Sequence, residues 1–337
     1  PTVGGFLLEH FWWGSVFLVN VPIVVIALVL TAFLAPPNVA NPAKQWDFLS
    51  SFYALVTLAS LVLVIKSLAS SHLNATLIGG ALAACLIGAI LFTRRQGKLE
   101  EPLLTFDIFR SPIFTGGVLA AAGAMFGMAG LEMTTTQKLQ LVDQYSPLHA
   151  GLIISLIALA ALPMSALGGA NLHRWGFLPI ICGGFLFMAA GIACVVWGGN
   201  RDIFAAYLAG LILTGVGAGL VMSVSSTAII GAAPASRSGM AAGVEEVSYE
   251  FGTLLSIAVT GSLVPLLFQR GLPEDIQELG MEALHSHDLG AAPAGAYTDA
   301  YLTTAAGLAV VMLLFAALTG WCFRHNPTSG GADATRE

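Results

Sequence analysis

Three carboxylates stand where carboxylates are expensive. Glu245, Glu246 and Glu250 lie within "GVEEVSYEFG", Gly243 to Gly252, and lead into a run without Asp, Glu, Lys or Arg from Phe251 to Gln269. An ionised side chain at bilayer depth costs about 3 kcal/mol even on the gentlest insertion scales. It therefore faces a bundle interior or a water path, and marks a route for ions, protons or charged substrates. On a helix, Glu246 and Glu250 are four residues apart and share a face, whereas Glu245 points about 100° away from Glu246. If that helix starts near Ser238, Glu250 sits about 18 Å along it, close to the midplane. That depth makes Glu250 the first candidate for proton and cation coupling, with Glu246 and Glu245 after it. A carboxyl that holds a proton in one conformation and a cation in another can couple the movement of the two. The plainer reading is that Glu245 and Glu246 favour a helix N-terminus through its dipole, an effect that fades beyond the first turn.

Other charges bound the same chemistry. Glu132 closes the apolar run from Ser111 to Leu131, where it fits either a helix-end anchor or the mouth of a substrate path. Lys66 and Lys138 stand near helix ends, where lysines snorkel to the interface. Six residues put Glu132 and Lys138 about 120° apart on a helix, which disfavours a pair, and a pairing of Glu132 with Lys66 stays open. Cys85, Cys182, Cys194 and Cys322 sit in apolar runs at spacings that match no metal motif, and no G-x-x-x-x-G-K-[ST] occurs. With no nucleophile constellation either, the expectation is a non-enzyme with no metal or cofactor, driven by a proton gradient.

The elements that must position these residues follow from composition. Of 337 residues, 56% are hydrophobic and 9% charged, with a net charge of −6. A soluble domain carries about 25% charged residues. This excludes a nucleic-acid binder, an ordinary soluble enzyme and a disulfide-stapled secreted domain. Nine apolar runs are long enough to span a bilayer: Ser15 to Leu34, Phe48 to Leu68, Ala75 to Thr93, Ser111 to Leu131, His149 to Leu167, Phe177 to Trp197, Ala205 to Thr227, Ala241 to Phe268, and Leu302 to Phe323. Without barrel alternation they must be helices, so the fold is an all-α integral membrane bundle.

Dealing the loops alternately to two sides puts Lys44, Arg94, Arg95, Lys98, Arg110, Arg174, Arg237, Arg324 and Arg336 on one side. Lys138, Arg201 and Arg270 fall on the other, so the first side, with the tail from Arg324, is expected to be cytoplasmic. The loops Glu9 to Gly14, Ala69 to Asn74, Glu132 to Leu148, Gly198 to Asp202 and Gln269 to Tyr301 then face outward, with Trp12 and Trp13 in the outer aromatic belt. In the last of these loops, Pro273, Ile276, Leu279 and Leu284 suggest a short amphipathic helix beside the acids Glu274, Asp275, Glu278, Glu282, Asp288 and Asp299. The chain opens on Pro1, and Pro1 to Leu8 reads as the end of a preceding helix, so further N-terminal helices are expected. Gly123 with Gly127 and Gly215 with Gly219 form GxxxG pairs, which report close helix contact. Met125, Phe126, Met128, Met222 and Tyr249 are candidates to line a cavity for flat cations, though each fits plain packing as well.

Several strings carry a resemblance. Gly4 and Gly5, followed by Trp13, Phe17, Asn20, Val21 and Pro22, are similar to the second half of the antiporter motif of the major facilitator superfamily, with Gly14 where that family usually has Arg and Val24 where it has Gly. "EPLLTFDIFR" from Glu101, "YSPLHAGL" from Tyr145, "GVEEVSYEFG" and "SIAVTGSL" from Ser256, with Lys66, resemble the 14-span drug:proton antiporters of the QacA type. "HFWWGSVFLVNVP" from His10, with Glu132 and Lys138, stands nearest the SmvA-like exporters of methyl viologen and quaternary ammonium compounds. A degenerate copy of the family's loop motif runs from Gly169 to Gly176, with His173 where an Asp is usual.

The resemblance implies two six-helix halves with two helices inserted between them. Residues 1–34 would then end the N-terminal half, 35–110 hold the inserted pair and its connectors, 111–323 form the C-terminal half, and 324–337 the tail. It also implies proton-coupled efflux of lipophilic organic cations by a monomer in a bacterial inner membrane, with protons, those cations and lipid as its partners. The alternatives are export of an endogenous amphipath, or a membrane fragment that transports nothing.

Overall fold

The computed structural model describes residues 2–34, 47–68, 74–99, 102–234, 237–285 and 292–324. Lys44, Glu101, Asp288, Arg336, the stretch from Ala69 to Leu73 and the tail beyond Arg324 lie outside the described residues. Among the described residues the structure is helical: α1 (Thr2–His10), α2 (Ser15–Leu18), α3 (Asn20–Leu34), α4 (Phe48–Leu68), α5 (Ala75–Gln96), α6 (Pro112–Leu141), α7 (Pro147–Trp175), α8 (Phe177–Asn200), α9 (Phe204–Gly231), α10 (Ser238–Gly271) and α11 (Ala292–Phe323). Nine of these stretches are long and apolar enough to cross a membrane, α2 and α3 counting as one.

Local chemistry sets where the helices start. Ser111 and Ser146 accept from the backbone N–H three residues on, and each is followed by a proline at the first helical position. Asn74 caps α5 in the same way, accepting from Leu77 N–H at 3.1 Å. Gly176 alone joins α7 to α8, and its φ of 74° lies in the left-handed region that glycine enters without strain.

The spans outrun their sequence limits. α6 continues to Leu141, so Glu132 lies nine residues inside its end, and the outer loop expected to begin at Glu132 begins after Leu141. α11 starts at Ala292, so residues 292–301 are helical rather than loop. The segment Gly169 to Trp175 forms the last turns of α7. For α6 and α11 the physical reason is shared: a charge ends an apolar run, but it does not end a helix. Ser15 to Leu34 departs the other way, with a slack turn at Val19. The amphipathic helix expected after Pro273 is a pair of 3₁₀ turns over Gln277–His285, broken at Gly280.

Close backbone approach holds the bundle together. On α8, Gly184, Gly191 and Gly198 recur every seven residues. They meet Gly217, Gly210 and the Ile203–Tyr207 turn of the antiparallel α9, so positions rise by seven on one helix as they fall by seven on the other. A β-carbon on Gly191 would stand 2.5 Å from Thr214 N and 2.7 Å from Gly210 O. Gly215 and Gly219 lie against the carbonyls of Ile157 and Ala161 on α7, as their GxxxG spacing suggests. Gly123 instead receives Phe315 and Phe185, and Gly127 receives Met312 and Met188. The main apolar core draws on α6 to α9 and α11. At one end of the bundle Arg237 meets Asp107 at 3.0 Å and Phe323 stacks on Phe177 at 5.7 Å. At the other, Tyr207, Tyr301, Phe268 and Tyr297 converge.

The α4–α5 pair stands apart. Arg95 grips Asp47 through Nε and Nη2 at 2.9–3.2 Å, Gln96 donates to Ser50 Oγ at 2.8 Å, and Gly88 lies against Thr57 and the Tyr53 carbonyl. The Arg95 guanidinium, and after it the Ser50 hydroxyl, hold the Asp47 carboxyl well below the usual carboxylate range.

Two outcomes follow. Gly191→Val forces α8 from α9 and lowers stability by about 1–3 kcal/mol, read as earlier loss of helix signal on heating in detergent. Because the folded value of Asp47 is depressed, its stabilisation is full above an ordinary carboxyl value of about 3.9 and fades as pH falls below that. Asp47→Asn therefore melts earlier than the parent by a constant margin from pH 5 to 8, and the margin shrinks below pH 4.

Candidate functional site

α10 buries one stripe: Ser248, Gly252, Ser256, Thr260, Val264 and Phe268, at intervals of four. Gly252 abuts the Ala122 carbonyl, Ser256 donates to Phe126 O, and Gly261 faces Met133, so α10 runs parallel to α6. Opposite that stripe, about 160° round from Ser248, Glu246 and Glu250 project together and are exposed. Starting at Ser238, the helix carries Glu250 to a depth of about 18 Å, as its position in the sequence implies.

Glu245 differs from both. It is half-buried, about 60° from Ser248, and accepts a hydrogen bond from the Tyr249 phenol at 3.1 Å. The same phenol lies 3.3 Å from Met222 O and 3.5 Å from Ser225 Oγ, both on α9. Of the three acids, the one ranked last by depth is the one tied into a neighbouring helix. Sequence reasoning noticed Tyr249 as an aromatic only, and its link to Glu245 was legible in the spacing of four.

The structure does not bring the remaining candidates to these acids. Glu132 is level with Thr260 and Gly261, about 15 Å farther along the bundle than Glu250. It is half-buried, and among the described residues no ion pair reaches it. Lys66 is exposed in the last turn of α4. Lys138 pairs with Asp143 at 2.6 Å rather than with Glu132. Phe126 is buried against Phe315 and belongs to the core, while Met128 and Met222 pack on its edge. Among the described residues no group of three His, Cys, Asp or Glu is placed to hold a metal ion.

The glycine motif separates into two places. Gly5, on α1, is buried against the start of α7, where a β-carbon would stand 2.5 Å from the Pro147 carbonyl. Beside it Ser146 Oγ donates to Glu9 Oε2 at 3.0 Å and lies 2.8 Å from His149 Nδ1. Among the described residues Val16 alone comes near Gly4, and Asn20 and Pro22 are exposed on the first turn of α3. Gly14 lies beneath the Trp12 ring, which occupies the space any side chain there would need.

At the far end from the α10 acids, a polar chain went unforeseen. Tyr301 Oη lies 3.0 Å from Thr135 Oγ1 and 2.9 Å from Tyr207 Oη, joining α6, α9 and α11. Lys138 Nζ lies 6.0 Å from the centroid of the Tyr207 ring, and Tyr297 donates to Gln137 at 3.3 Å. No periodicity announces partners so distant in sequence.

Comparison with known proteins adds the following. The family model of the Major Facilitator Superfamily matches residues 1–256. The chain is 31% identical to the multidrug efflux pump LfrA of Mycolicibacterium smegmatis, over 96% of this chain and 68% of that protein. It is 31% identical to the methyl viologen resistance protein SmvA of Salmonella typhimurium, over 81% of this chain and 55% of that protein. To the multidrug resistance protein Stp of Mycobacterium tuberculosis it is 26% identical, over 86% of this chain and 54% of that protein. The chain thus spans about two thirds of the first of these relatives and just over half of the other two.

Tyr301→Phe removes one of the three hydroxyls and takes a partner from both Tyr207 and Thr135. The expected loss is about 1–3 kcal/mol, read as a lower midpoint of thermal unfolding in detergent.

Proposed function

Since the chain belongs to the major facilitator superfamily, a family of transporters rather than enzymes, we propose that it works by proton-coupled efflux of lipophilic organic cations across a bacterial inner membrane. The observation that carries the reading is the pair Glu246 and Glu250, projecting together from one face of α10 at membrane depth. Two carboxylates cannot face hydrocarbon at that depth, so this face borders a water path or further protein. A water path lined by carboxylates admits protons and cations and disfavours anions. The names of LfrA, SmvA and Stp, which speak of multidrug efflux, methyl viologen resistance and multidrug resistance, support drug efflux for a protein of that length, and methyl viologen, a dication, supports organic cations as the class.

In this reading the end of the bundle carrying Arg95, Asp107, Arg237 and Arg324 is cytoplasmic, following the bias of positive charges. Glu250 and Glu246 exchange protons for cations, and Glu132, about 15 Å farther out, stands toward the outer mouth. Residues 1–34 end one helical half, α4 and α5 are the inserted pair, and α6 to α11 are the other half. The protein works as a monomer with the proton gradient as its energy source.

The test follows a preset pH gradient in everted membrane vesicles carrying the whole protein, with ethidium added as the cation. Addition is expected to collapse part of the gradient, with the response lost in Glu250→Gln and reduced in Glu246→Gln. No response in the parent to ethidium or to several other lipophilic cations would sink the proposal.

A further inference from the structure

Tyr249 carries one hydroxyl hydrogen, and three acceptors compete for it: Glu245 Oε1 at 3.1 Å on its own helix, and on α9 Met222 O at 3.3 Å and Ser225 Oγ at 3.5 Å, whose own hydrogen goes to Met222 O. We infer that Tyr249 is a positioning residue that converts the charge state of Glu245 into the presence or absence of a hydrogen bond between α10 and α9. This rests on the proton-coupled reading above and deepens it, assigning Glu245 a task distinct from that of Glu246 and Glu250.

The argument is one of donor counting. When Glu245 is ionised, it offers the stronger, charge-assisted bond, and the phenol turns its hydrogen to the carboxylate. α9 then loses that donor. When Glu245 takes up a proton from the water path, its own O–H can donate to the phenol oxygen, and the phenol hydrogen turns to Met222 O. Only the O–H bond on Glu245 forms or breaks; the phenol keeps its hydrogen throughout. Ser225 Oγ, 3.5 Å from the phenol, is close enough to share the second arrangement.

The position suits the task. α9 is seamed by glycine to α7 and α8, so a bond made at Met222 pulls on a packed unit. Few charges compete at this level. α9 has none along its length, α6 has none before Glu132, and α11 has none between Tyr301 and Phe323. The neighbouring charges are Glu246 and Glu250 on the other face of α10, and the Arg237–Asp107 pair that closes this end of the bundle. On α4, which also touches α10, the charged residue is Lys66, in the turn farthest from Phe48.

The experiment uses vesicles carrying the whole protein and reads two quantities with ethidium: protons moved per cation, and gradient-free exchange of labelled for unlabelled ethidium. Exchange needs binding and alternation but no net proton flow, so it doubles as a test of folding. For Tyr249→Phe, protons moved per cation should fall about tenfold, the size expected for loss of one hydrogen bond to a charged group, while exchange continues and shows the variant folded. Glu245→Gln should match it, and the double variant should be no worse than either single, because both changes break one link. A slower Tyr249→Phe with the parent's ratio would overturn the inference, as would additive effects or loss of exchange together with coupling. If the parent itself moves no protons, the exporter reading falls and this inference with it. A coupled parent beside a fully coupled Tyr249→Phe fails the inference alone.

Discussion

Helices in hydrocarbon gain nothing by hiding apolar surface from one another, because the lipid is as apolar as they are. What joins them is contact at a distance only small residues allow, where backbone atoms reach one another. In this bundle that contact is concentrated on α9, which meets α8 through Gly210 and Gly217 and α7 through Gly215 and Gly219. The packing of aromatic rings around α6 and α11 is the complementary device. Glycines on α6 leave room there for Phe315, Phe185 and the paired methionines Met312 and Met188.

Such a framework lets one helix carry unfavourable groups. α10 commits its buried stripe from Ser248 to Thr260 to small and hydroxylated residues, which leaves the opposite face free to hold two carboxylates without disturbing the core. Its third acid turns toward the protein and is held by a tyrosine one helical turn away. Polar groups at the other end of the bundle behave differently. The hydroxyls of Thr135, Tyr207 and Tyr301 satisfy one another, as buried donors and acceptors must.

Much of this was legible before any coordinates. The helical class, the number of spans and the exact limits Phe48 to Leu68 came from apolar runs, since length and composition are what a bilayer selects. The ends of α6 and α11 were misplaced because charges were read as stops. The common face of Glu246 and Glu250 followed from a spacing of four. The seven-residue glycine recurrence on α8 was present in the sequence and went unread, because the familiar pair spacing drew attention to Gly215 and Gly219. What had no signal was long-range: Tyr207 meeting Tyr301, Arg95 meeting Asp47, Glu9 meeting Ser146. These depend on which helices become neighbours, and local periodicity does not carry that.

The clasp between Asp47 and Arg95 bears on how freely this hairpin can vary. None of the three apolar cores takes a described side chain from α4 or α5, and the pair satisfies its own polar groups. A hairpin that holds itself together in this way asks little of the other cores, and it meets the bundle where α4 touches α10. Side chains on its outer faces can then change without loosening the join between its two helices, which lies in the clasp.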